Sequence, residues 1–228
     1  MSRVFFLLLL VNQCFAQTSI PKDATLLKGN PAADNIIYIT KFDTAAHYNH
    51  LRPIRIDTTG FYFDYYLDYW QHASMNREVK KMNLKNFPSQ WYPLYQYRKQ
   101  WMLYNPCDGI FCDGILVTDT SMIEESPDAP FPNLIIEASW KNDSTFYLST
   151  LDYNQDTIDF AIHFLPKFPG VAIWEELDSE LAGYKMLRLD SRFAGNFSVI
   201  VNQCEKTKAT EFREWEVPDW NLLLHHKN

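Results

Sequence analysis

The chain has 228 residues, 16% of them aromatic, and carries a net charge of −7. Its surplus of acid argues against non-specific nucleic-acid binding, which depends on neutralising phosphates with Lys and Arg. The densest basic run, Arg77 to Lys85, alternates with apolar residues and reads as a solvated face.

The first sixteen residues read as a cleavable signal peptide. Arg3 supplies the positive start, Val4 to Val11 (VFFLLLLV) the apolar run, and Cys14-Phe15-Ala16 the small-x-small cleavage pattern. A membrane-spanning helix needs about 20 apolar residues, and this run is far shorter. An acylated Cys14 fits poorly, because Val11, Asn12 and Gln13 do not form the usual Leu-small-small approach. Residues 17–228 are expected to form a single β-rich domain. The expected location is outside the cytoplasm: secreted, periplasmic or envelope-associated, without integral membrane segments. Loss of Arg3 leaves 20 basic against 28 acidic residues, a net charge of −8.

Gln17 to Asp34 has no periodicity and reads as an irregular lead-in. Ile36 to Phe42 is the first strand expected. Ile54 to Asp57 and Phe61 to Trp70 follow as a hairpin around Thr58-Thr59-Gly60. Ser74 to Leu84 is expected to be a helix, with Ser74 as N-cap and Met75, Val79 and Met82 on one face. Pro88 and Pro93 exclude a regular helix over Phe87 to Tyr95. Strands are expected again at Arg98 to Tyr104 and Ile115 to Thr118, with Thr120 to Pro132 as an acidic, proline-rich loop. From Asn133 the pattern is a meander: Leu134 to Lys141, Thr145 to Leu151, Thr157 to Leu165, Val171 to Trp174, Tyr184 to Leu189 and Phe197 to Val201. Within it, Ile158, Phe160, Ile162 and Phe164 alternate onto one face. With Ile173, Leu187, Leu189, Val199 and Val201 they form the expected core. A short polar helix near Thr207 to Glu216, stopped by Pro218, is expected to close the domain. Short strands in series indicate an all-β, mainly antiparallel fold, a barrel or barrel-like sandwich with one or two short helices.

Three cysteines remain after cleavage: Cys107, Cys112 and Cys204. Cys107 and Cys112 flank Asp108-Gly109-Ile110-Phe111, so a local bridge is expected to be within reach. A long-range bond to Cys204 stays open beside it. His47-x-x-His50, with Asp43 or His72, has the spacing of a metal pair but no neighbouring Glu to act as a base, and turn formation explains Asp108-Gly109 and Asp113-Gly114 better than calcium. No metal and no cofactor is expected. The chain lacks a Gly-x-Ser-x-Gly elbow and a Gly-rich phosphate cradle. Asn142 and Asn196 begin glycosylation sequons whose use depends on the host.

The density of rings between Phe61 and Tyr104 is the most unusual feature. If a ligand binds there, Tyr66, Trp70, Trp91, Tyr95 and Trp101 are the expected stacking walls. Asp64 and Asp68 would share a face with Tyr66 and Trp70 on a regular strand, where they could accept sugar hydroxyls. The competing explanation is that these rings fill a core seam, since aromatic residues are frequent in strands.

Asn86-Phe87-Pro88-Ser89-Gln90-Trp91-Tyr92 resembles the opening of a lipocalin, where a Gly-x-Trp motif closes the base of the barrel; here Pro88 or Ser89 stands in the glycine's place. Thr150-Leu151-Asp152-Tyr153 is similar to the family's later Thr-Asp-Tyr motif, with one residue inserted. Trp91 to Val201 supplies roughly the eight or nine strands such a barrel needs. The resemblance covers about half the chain and implies a ligand-holding barrel. The function expected first is therefore a non-enzymatic exported binding protein that takes an apolar or glycan ligand on an aromatic-lined concavity. Two other classes stay open: a structural or protein-interaction domain of the cell envelope, and a hydrolase whose residues converge from distant strands.

Overall fold

The computed structural model describes residues 20–29, 35–46, 48, 51–56, 58–60, 62–107, 114–126, 130–178, 183–204 and 211–225. The expected signal peptide, His47, His50 and Cys112 lie outside them.

Eight strands close into a barrel: β3 (Gln90–Pro93), β6 (Ile115–Val117), β7 (Ser121–Glu124), β8 (Phe131–Asn142), β9 (Thr145–Leu151), β10 (Thr157–Phe164), β11 (Val171–Glu176) and β12 (Lys185–Asp190). Each barrel strand pairs antiparallel with the next one along the chain, and β12 returns to β3. This is an up-and-down barrel, which leaves no strand edge open. The remaining strands form a second sheet in the order β1-β2-β13-β5-β4. They are β1 (Thr25–Gly29), β2 (Asn35–Lys41), β4 (Tyr95–Tyr97), β5 (Gln100–Asn105) and β13 (Ser198–Cys204). Within it β13 and β5 run parallel, Ser198 opposite Met102.

Period-2 alternation divides the core. Phe160 and Ile162 point into the barrel with Ala172, Trp174, Phe146, Leu148, Trp91, Ile115, Val117, Met122 and Ile135; Ile158 and Phe164 are half-buried against them. Ile173, Leu187 and Leu189 point the other way, out of the barrel wall, and meet Val199, Val201, Tyr38 and Leu103 of the second sheet. Seven of the nine residues expected in the core are buried and Ile158 and Phe164 pack at its margin, but they belong to two cores rather than one. The second sheet's far face carries a further cluster of Ile37, Tyr97, Met102, Tyr104 and Ile200, covered by Phe212.

Residues 84–89 cross one end of the barrel. Phe87 stacks on Phe146 at 4.2 Å and sits 5.6 Å from Trp91 and 6.1 Å from Phe164. The Trp91 indole donates to the Pro88 carbonyl at 3.0 Å, and the Trp140 indole to the Lys85 carbonyl at 3.1 Å. Met82 and Leu84 pack against the same interior. This end is plugged by rings.

Several expectations are corrected. Phe61 to Trp70 is not a strand: α2 spans Tyr62–Ala73. Ser74 to Leu84 is not a helix. The Ser74 hydroxyl bonds the Trp70 carbonyl, Asn76 turns to φ 59°, and Glu78 to Leu84 has no regular structure. The lead-in contains β1, and the expected loop Thr120 to Pro132 contains β7 and the start of β8. Ile54 to Ile56 has no regular structure, and Asp57 lies outside the described residues. Of the helix expected near Thr207 to Glu216, residues 207–210 lie outside the described residues and Glu211 to Glu216 is not helical, with Glu216 bridging to Gln96; the helix α3 (Trp220–His225) follows Pro218. The four-residue α1 (Phe42–Ala45) and a 3-10 turn at Ser191–Asn196 complete the fold.

The disulfide joins Cys107 to Cys204, with Cα atoms 5.6 Å apart. Of the two pairings left open, the long-range one forms, while Cys112 lies outside the described residues. The reason lies in the pairing: the parallel β5 and β13 end side by side, Asn105 opposite Val201, and bring the two cysteines together just beyond.

Candidate functional site

The expected stacking residues are placed on separate surfaces. Trp91 lies inside the barrel and is fully buried. Tyr95 stacks on Trp215 at 4.6 Å on the outer face of the second sheet. Trp101 packs on the opposite face, toward the seam with the barrel, its ring 6.4 Å from Phe168. Tyr66 and Trp70 lie on the inner side of α2, outside the barrel wall. Trp70 packs with Ala73, Leu134 and Leu151. Tyr66 shares a hydrogen bond with Ser121; burial raises its pKa and that bond partly offsets the rise.

The helical period also separates the carboxylates from the rings. On a helix, residues two apart point nearly opposite ways, while those four apart share a face. Asp64 and Asp68 are exposed, away from Tyr66 and Trp70, and Asp68 lies 3.6 Å from His72. The arrangement expected of a strand, rings and carboxylates on one side, is not formed.

Other polar groups, not among the expected site residues, face the barrel interior. Arg188 on β12 follows the alternation of Met186 and Asp190 and pairs across with Ala172. Its guanidinium lies 5.7 Å over the Trp174 ring and 3.6 Å from the Met186 sulfur. Glu176 shares a face with Trp174 and Ala172, and Glu124 with Met122. The Asn133 amide donates to Glu124 at 3.0 Å. Arg188 is 5% exposed and Glu176 8%. Trp174 is fully buried, and among the described residues its Nε1 has no hydrogen-bond partner. The signal was readable: the alternation Ala172, Trp174, Glu176 puts a ring and a carboxylate on one face of a short strand.

A second polar group lies on the outer wall. Thr145 Oγ1 is 3.3 Å from His163 Nδ1, His163 Nε2 is 3.5 Å from Glu175, and Lys185 holds the same carboxylate at 2.5 Å. The order is that of a nucleophile, a base and its orienting acid. However, Thr145 and His163 are direct cross-strand partners, for which such contact is ordinary. Among the described residues, no group of three or more His, Cys, Asp and Glu side chains gathers as a metal site. No described helix is long and apolar enough to cross a membrane.

The class these features define is an eight-stranded up-and-down β-barrel with polar groups in its interior, backed by a five-stranded mixed sheet. Comparison with protein families, curated proteins and solved structures finds no match for the chain.

Proposed function

We propose that this is an exported, non-enzymatic binding protein whose barrel takes a small, mainly apolar ligand bearing one polar group. The observation that carries the reading is that Arg188, Glu176 and the Trp174 indole are buried, with Glu124 half-buried on the same inner side, in an otherwise aromatic and aliphatic interior. Ligand sites typically combine apolar linings with a few placed polar groups, and an eight-stranded barrel is about wide enough either to fill with side chains or to hold one small ligand. Trp91, among the expected stacking residues, forms part of that lining. Export is supported by the N-terminal pattern and by the Cys107–Cys204 bond, since disulfides persist in oxidising compartments.

The test is a tryptophan-fluorescence screen against fatty acids and soluble glycans. One ligand class should change the emission and saturate. Arg188→Gln should then weaken that ligand about tenfold, roughly 1.4 kcal/mol, while the double variant Trp70→Ala, Trp101→Ala leaves affinity unchanged. Binding lost in the double variant but retained in Arg188→Gln would move the site outside the barrel. A folded protein that responds to neither class would count against the reading.

The envelope-interaction reading has one observation in its favour. Tyr62 and Tyr65, 53% and 48% exposed, lie three residues apart on α2. Exposed aromatic side chains that neighbour each other on a helix are characteristic of partner surfaces.

A further inference from the structure

The second sheet's outer face is apolar and is covered by its own chain. Glu211 to Glu216 lies across it, with Phe212 and Trp215 against Ile37, Tyr97, Met102, Tyr104 and Ile200. Phe212 meets Tyr97 at 5.2 Å, and Trp215 meets Tyr104 at 5.1 Å and Tyr95 at 4.6 Å.

One carboxylate anchors this strap. Glu211 Oε2 accepts from the Tyr104 hydroxyl, from the Asn202 amide at 3.2 Å and from the Cys107 backbone N–H at 3.2 Å. The Tyr104 oxygen in turn accepts from the Phe212 N–H at 3.1 Å and from the Asn202 amide at 3.2 Å. The donors come from two places, the ends of β5 and of β13, and these are the ends the disulfide ties. The parallel pairing of β13 with β5 runs only from Ser198 to Val201 opposite Met102 to Asn105. Beyond it, the Cys107–Cys204 bond is the covalent tie holding the Cys107 N–H within reach of Glu211. Both cysteines are half-buried rather than enclosed. The barrel's interior cluster shares no residue with the strapped face.

We propose that the Cys107–Cys204 disulfide is a redox latch for the strap Glu211–Glu216. Opening it lets the strap leave and uncovers the apolar face of the second sheet, while the barrel stays folded. The reductant is a dithiol. It transfers two electrons and two protons by thiol–disulfide exchange: one of its thiolates attacks a cystine sulfur, its second thiol resolves the mixed disulfide, and Cys107 and Cys204 leave as thiols while the dithiol becomes a disulfide. Without the bond, the Cys107 N–H no longer has a fixed place beside Glu211. The strap then keeps its ring contacts but loses part of the charge-assisted network that ordered it.

Trypsin tests this directly, because Arg213 is exposed within the strap. The oxidised protein, the dithiol-treated protein and the double variant Cys107→Ser, Cys204→Ser are compared, every sample carrying Cys112→Ser so that no third thiol exchanges. Release of the peptide that begins at Glu214 is followed by mass, with far-UV circular dichroism and binding of a hydrophobic dye alongside. Reduction and the double variant should each raise cleavage at Arg213 about tenfold or more and increase dye binding, with the strand signal retained. Phe212→Ala, which loosens the strap with the disulfide intact, should show the same cleavage without a dithiol. Equal cleavage in the oxidised and reduced protein, with Phe212→Ala fast, would overturn the latch. Loss of the strand signal on reduction would also overturn it, because the bond would then hold the whole fold rather than the strap.

Discussion

At the scale of single residues, backbone geometry decides one position plainly. Gly170 ends the turn between β10 and β11 at φ +81°, and its carbonyl accepts the Asp190 N–H at 2.8 Å where β12 ends. A Cβ there would lie 2.4 Å from the Phe193 ring. The left-handed conformation and the ring therefore act together against any side chain. Gly170→Ala is expected to destabilise by about 1–3 kcal/mol, seen as a lower urea midpoint with an unchanged slope. Gly195, with nothing within 4 Å of its would-be Cβ and no positive φ, is the control. Gly195→Ala should stay within roughly 0.5 kcal/mol of the parent. Equal effects at the two sites would show that the Phe193 contact does not constrain the turn.

At the scale of elements, α2 carries the clearest disagreement between sequence and structure. Its residues satisfy two periods at once. Aromatic content and the Phe61 to Trp70 alternation favour a strand, yet Phe63, Tyr66, Trp70 and Ala73 recur every three or four residues and form the side that turns inward. Tertiary packing chooses the second period, because Leu134 and Leu151 on the barrel's outer wall need a cover and Trp70 with Ala73 supplies it. Trp70→Ala should therefore cost about 2 kcal/mol, less than full burial would give, whereas Tyr65→Ala on the exposed side should change stability by no more than about 0.5 kcal/mol. Thermal unfolding of the two variants checks this, and a reversed order would mean that the helix presents its other face. The meander from Thr145 to Leu189 was legible because one period fits each of its strands and short polar turns separate them. What was not legible was which side of a strand faced which core: Ile173 and Trp174 are equally apolar neighbours, and only closure of the barrel sends one out and the other in. The disulfide followed the same rule, since its partner was set by a parallel pairing between strands far apart in the chain.

At the scale of the whole molecule, the barrel and the second sheet are joined through buried tyrosines, and this makes their union sensitive to alkali. Tyr38 and Tyr92 sit in the seam between the two, and Tyr104 lies under the strap. All three have raised pKa values, in each case chiefly through burial. For Tyr92 the nearby Glu125 charge adds to the effect, and the pKa is pushed up to about 12 from 10.0. A tyrosine is neutral when protonated, so a folded pKa above the unfolded one means that the folded state holds its proton longer. Below pH 10 both states are protonated and the contribution to stability is complete; from there to about 12 the unfolded chain loses the proton first, and stability falls. Alkaline unfolding should thus begin near the ordinary tyrosine value, with part of the tyrosinate absorbance appearing only as the circular dichroism is lost. Tyr92→Phe separates the two roles of this hydroxyl. Its bond to the Leu51 carbonyl, 3.0 Å long, disappears, which should cost about 1 kcal/mol at neutral pH. The ionisable group disappears too, so the decline in stability above pH 10 should become shallower than in the parent. Chemical unfolding at neutral pH and at several alkaline values measures both effects on one variant. A slope identical to the parent's would show that Tyr92 keeps no proton in the folded state that it would lose on unfolding, and that the seam owes its alkaline sensitivity to Tyr38 instead.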